Sequence, residues 1–65
     1  MKLVKGNIYV LRDKPNGIKG KYLYLGAVRG AGRRIHYLFA LRDTPSVRIS
    51  YTDISIRDCK ISEAE

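Results

Sequence analysis

Cysteine, histidine, tryptophan and acid are what this chain has least of. Its 65 residues include one cysteine, one histidine and no tryptophan, and six carboxylates face thirteen lysines and arginines. A lone Cys59 cannot build the disulfide framework of a small secreted domain, so a reducing, cytoplasmic setting is expected. One His and one Cys also fall short of a zinc site unless several carboxylates join them. Long hydrophobic runs are missing too. The longest nearly uncharged one, Tyr22 to Val28, is far below the ~20 residues of a membrane-crossing helix. Met1 to Gly6 has no apolar core of signal-peptide length. A soluble protein without a membrane partner is expected.

Catalytic groups are equally sparse. His36 and Cys59 would have to meet in space to act as a base and nucleophile, and no third group stands out to orient them. The simpler reading makes His36 a solvent-facing strand residue and Cys59 a small apolar filler. Asp13, Asp43, Asp53 and Asp58 fall in expected turns, where carboxylates bond the local backbone. Gly30-Ala31-Gly32 lacks the third glycine and the following helix of a dinucleotide fingerprint. Gly17-Ile18-Lys19-Gly20-Lys21 is no P-loop, because its glycine spacing is wrong and Tyr22 stands where Ser or Thr is needed. The sequence points away from an enzyme, and nothing in it calls for a cofactor or a metal.

What the chain does have is positive charge and β-forming residues. The net charge is +7, and two of the six acids, Glu63 and Glu65, lie at the very end. A field of that sign attracts polyanions, nucleic acid first and acidic protein surfaces second. Solubility alone is the plainer explanation for such a charge.

The chain reads as short strands divided by turn signals. Ile8 to Leu11 are four consecutive β-formers. Arg12 to Gly17 contain Pro15 and an Asn-Gly pair, a loop that Ile18 to Gly20 continue. A second strand is expected over 21–28, with Gly26 as a bulge or sharp bend. Arg29-Gly30-Ala31-Gly32-Arg33 is a hairpin tip. A third strand, 34–42, alternates cleanly and puts Ile35, Tyr37, Phe39 and Leu41 on the core face. Asp43-Thr44-Pro45-Ser46 is a turn, and a fourth strand over 47–51 turns Val47, Ile49 and Tyr51 inward. A short 3₁₀ turn at 52–55 leads to a last strand over 56–61. Residues 62–65 are a polar tail, so one domain spans 1–61. No stretch reads as an amphipathic helix. Five short strands at about ten-residue spacing give an all-β fold, a small five-stranded antiparallel barrel.

Val4-Lys5-Gly6-Asn7-Ile8-Tyr9-Val10, followed by Gly17-Ile18-Lys19-Gly20-Lys21, resembles the opening of KOW- or Tudor-type SH3-like modules. Over about a third of the chain, that resemblance implies an SH3-like architecture. It also implies a partner among nucleic acid, ribosomal or polymerase surfaces, or peptide segments.

Three binding surfaces follow from the residues. In the first, Gly30 and Gly32 allow positive φ at the tip, so that backbone N–H groups approach a phosphate while Arg29, Arg33 and Arg34 add planar donors. A solvated hairpin loop weighs about equally. In the second, Leu23, Leu25 and Ala27 point inward. Tyr22 and Tyr24 then lie outside beside Lys19, Lys21 and Arg48, as a stacking platform for single-stranded bases or a groove for a peptide. Periodicity does not choose between this and buried tyrosines, because the strand is apolar on both faces. The third uses the apolar surplus of the first two strands as a homodimer face or a dock onto a host protein.

The leading expectation is a non-catalytic accessory or regulatory protein that binds DNA or RNA through phosphates, with Arg42 and Arg48 adding contacts. The alternative is a phage-like or mobile-element protein-interaction module that modulates a larger enzyme or complex.

Overall fold

The computed structural model describes residues 2–64. Five strands form one antiparallel sheet: β1 (Ile8–Asp13), β2 (Ile18–Arg29), β3 (Ile35–Leu41), β4 (Thr44–Thr52) and β5 (Lys60–Glu63). Three short 3₁₀ turns punctuate them, at Lys14–Asn16, Ala31–Arg33 and Ser55–Asp58. The order across the sheet is β4-β3-β2-β1-β5. A meander of four strands is thus completed by a last strand that returns beside the first, in keeping with a small antiparallel barrel.

β2 does the bending. It is 12 residues long and pairs with β1 through its first half and with β3 through its second. The register slips between Tyr24 and Gly26, and Gly26 sits at φ +118, a conformation that side-chain-bearing residues rarely adopt. A bulge at this point bends one long strand round the core and lets it serve both halves of the sheet.

Several boundaries differ from the sequence expectation. β1 runs two residues further, to Asp13, because Arg12 and Asp13 pair with Lys19 and Ile18 of β2. β2 therefore starts at Ile18, in what reads as loop. The β3–β4 turn is confined to Arg42 and Asp43, and β4 begins at Thr44. Pro45 belongs to β4. The ladder jumps there from Ala40↔Arg48 to Leu41↔Thr44, so 45–47 bulge from an edge strand, where a missing N–H costs no ladder bond. The expected last strand at 56–61 starts too early, since 55–58 are the 3₁₀ turn. Ser62 and Glu63, expected in the tail, pair with Val10 and Tyr9.

The core is aromatic. Tyr9, Leu11, Tyr22, Tyr24, Phe39, Tyr51 and Cys59 are buried together. Ring follows ring across four strands. Tyr9 meets Tyr24 edge-on at 6.3 Å, Tyr24 meets Phe39 at 5.3 Å, and Phe39 meets Tyr51 edge-on at 6.2 Å. Such pairs add about 0.5–1.5 kcal/mol each beyond area burial. Tyr37, Leu41 and Ile49 pack against this cluster, half-buried. Val47, expected inward, is exposed because it lies in the β4 bulge.

Candidate nucleic-acid interface

Ladder parity sorts side chains to the two faces of the sheet. Tyr9 pairs with Tyr22 and Tyr24 with Phe39, so these residues share the core face. Their neighbours Leu23, Lys21 and Lys19 take the outer face. The expected stacking platform is thereby corrected. Tyr22 and Tyr24 are each only 6% exposed and belong to the core, while Leu23 and Leu25 are half-buried. Lys19 and Lys21 share the parity of Leu23, not of the tyrosines. Two strand lysines on one face mark that face as the wet one. Among the described residues Tyr37 is the only aromatic not fully buried, and it packs against the core.

The outer face carries a row of cations that the sequence reading missed. Arg12 of β1 lies directly opposite Lys19 of β2 on one side and Lys60 of β5 on the other. Neighbouring strands are about 4.8 Å apart, so three positive side chains stand abreast. All three are exposed, and among the described residues none takes part in a salt bridge. One step along the strands, Lys21 stands beside Val10 on the same face. The row borders an open groove of about 670 Å³, to which the turn residues Lys14, Pro15 and Gly17 also contribute. Asp58 is the one exposed acid on its border. The signal for this row lay in strand boundaries. Extending the first strand by two residues puts Arg12 on the face of Ile8 and Val10, and starting the last strand at Lys60 brings the third cation into line.

Asp13 fastens this end of the sheet. It is 2% exposed, and its Oδ2 accepts from Asn16 Nδ2 at 2.7 Å and from the Tyr51 hydroxyl at 2.9 Å. The Asn16 bond is the main reason its carboxyl is held below the usual carboxylate range, against a burial effect that pushes it up. Burial, then the bond to Asp13, pushes the Tyr51 hydroxyl well above its ordinary value. Burial likewise raises Tyr24 and Cys59.

The predicted tip lies at the other end of β2. Arg29 ends the strand, exposed. Gly32 and Arg33 both have positive φ, +68 and +64, and the Arg34 N–H donates to the Ala31 carbonyl at 3.3 Å. Two central residues at positive φ make a turn of the I′ kind. Gly30 is corrected. Its φ of −98 is ordinary, and its lack of a side chain serves close packing instead. A Cβ there would come 2.5 Å from His36 Nε2. His36 is therefore half-buried over Gly30, not a solvent-facing residue. Arg34 is drawn to Asp53 at 3.6 Å and Arg42 to Asp43 at 3.1 Å. Arg48 is exposed on β4, opposite Ala40. The expected contact residues thus divide. Lys19 and Lys21 join Arg12 and Lys60, while Arg29 lies at the opposite end of β2 and Arg33 in the turn beyond it.

No family model, curated protein or solved structure matches the chain. Among the described residues no helix is long and apolar enough to cross a membrane.

Proposed function

We propose that this chain is a non-catalytic accessory protein that binds nucleic acid through the phosphate backbone, by way of the outer face of β5, β1 and β2. The observation that carries the reading is the Lys60–Arg12–Lys19 row. Like charges directly opposite each other on a sheet are destabilising, by up to about 1 kcal/mol per pair. A 65-residue domain has only about 3–10 kcal/mol of stability in total. Three such neighbours without a carboxylate partner favour a polyanion that neutralises them on binding.

The buried tyrosines favour a phosphate mode of contact over base stacking. Without an exposed aromatic platform, bases gain no stacking partner. Phosphates remain, which makes binding sequence-tolerant and salt-sensitive. Arg side chains give planar, bidentate donors for phosphate oxygens, and lysines add point charges.

Replacing Arg12, Lys19 and Lys60 together with Thr, a good strand former, tests the surface. Fluorescence anisotropy with a labelled 20-bp duplex at low salt should show at least a tenfold loss of affinity, with the fold retained by circular dichroism. Equal binding by the triple variant sinks the reading. A wild-type protein that ignores both DNA and RNA yet captures one protein in stoichiometric amount points instead to the protein-interaction module.

A further inference from the structure

Arg33 occupies a backbone conformation that suits glycine and not arginine. Its φ is +64, and it is the one residue other than glycine with positive φ among those described. In an L-residue this left-handed conformation brings Cβ against the following carbonyl oxygen and is strained. Type I′ turns relieve that strain by placing glycine second, as in Asn-Gly. Here the order is reversed, with Gly32 first and Arg33 second. Nothing local repays the strain. Arg33 is exposed, and its side chain has no salt bridge or hydrogen bond among the described residues. Backbone strain that the fold does not need collects at functional positions.

We infer that Arg33 is a second phosphate contact, retained at the apex of the hairpin for its side chain at the expense of a relaxed turn. This deepens the nucleic-acid reading and rests on it. The I′ geometry explains how the side chain is presented. Successive positive-φ residues turn the chain back within two positions, so Arg33 projects from the very end of the β2–β3 ribbon. Arg29 closes β2 on the near side of the tip, opposite Ile35. Arg34, held toward Asp53, anchors the base of the tip. Because tip and row lie at opposite ends of β2, their contributions should be independent.

Two substitutions separate strain from charge. Arg33→Gly relaxes the turn and removes the cation. Arg33→Lys keeps both the strain and the cation. Denaturant unfolding should show Arg33→Gly favouring the folded state about fivefold over wild type, and Arg33→Lys unchanged. In salt titrations on the 20-bp duplex, Arg33→Gly should lower the log–log slope by about 0.9, one phosphate contact, while Arg33→Lys keeps it. Combined with Arg12→Thr, the slope losses should add. Wild-type slope and affinity in Arg33→Gly overturn the inference, even if the row variants lose binding as expected. A glycine variant no more stable than wild type overturns it as well, since the turn would then carry no strain. A wild-type protein that binds neither DNA nor RNA removes the underlying reading, and this inference with it.

Discussion

A single carboxylate ties the first turn to the far side of the sheet. Asp13 bonds its own turn through Asn16, three residues on, and β4 through Tyr51, 38 positions away. The first bond was legible in the sequence as ordinary Asx chemistry. The second was not, because it depends on which strand covers the turn. Tyr51→Phe keeps the ring's packing and removes the hydroxyl, so it should lower Tm by about 5–10 °C. The same groups set a pH window. The folded-state pKa of Asp13 is depressed, so its contribution is present above the ordinary carboxylate range and fades as pH falls through the lowered value. Tyr24, Tyr51 and Cys59 are raised, so theirs is complete below their ordinary values of 10.0, 10.0 and 9.0 and fades as pH rises beyond them. Thermal melts should be flattest at about pH 5–8. Asp13→Asn should blunt the acid limb and, because the carboxylate helps hold the Tyr51 hydroxyl and the Cys59 thiol up, soften the alkaline one as well.

Gly30 shows what a sequence hides about glycine. It stands for a close approach to His36, whereas Gly32 stands for a left-handed backbone. Gly30→Ala should therefore destabilise the hairpin by about 1–3 kcal/mol through overpacking. A second change, His36→Ala, should restore most of the loss in chemical denaturation. An unimproved double variant would show that the ring is not what Gly30 accommodates.

At the scale of elements, β2 governs the fold. Its bulge was legible, since Gly26 interrupts a strong β-run and glycine there marks a bend. Its facing was harder to read. Both sides of the strand are apolar, and only Lys19 and Lys21, in phase with Leu23, tell which side is wet. Once the tyrosines turn inward, the second binding surface disappears and the core gains two rings. Gly26→Ala places a side chain at φ +118, where the strain is about 1–3 kcal/mol. Its effect should appear as a lower midpoint in urea with little change in slope. Pro45 misleads in the opposite direction. Proline beside Asp and Thr reads as a turn, yet the turn is Arg42–Asp43 and Pro45 sits in the bulge of an edge strand. The missed cations follow from such boundaries. Arg12 looks like a loop residue until β1 is lengthened, and Lys60, already read as strand, has no assigned neighbour until β5 is set in register with β1.

For the whole molecule, five antiparallel strands in one sheet were readable from β-runs and turn signals alone, and the compact shape follows, with a radius of gyration of 11.1 Å. The distribution of charge was not readable, because it depends on cross-strand register. Thirteen cations on so small a body should repel one another, most of all along the Lys60–Arg12–Lys19 row. Salt should therefore raise the protein's own Tm while it weakens nucleic-acid binding. Arg12 is the middle of the row and the residue on which both effects converge. The most direct measurement is a salt titration of duplex binding by Arg12→Thr beside wild type, with Tm recorded on the same samples. A phosphate surface built at the expense of stability predicts a log–log slope lower by about 0.9 together with a higher Tm. Arg12→Thr with the wild-type slope and affinity would contradict it.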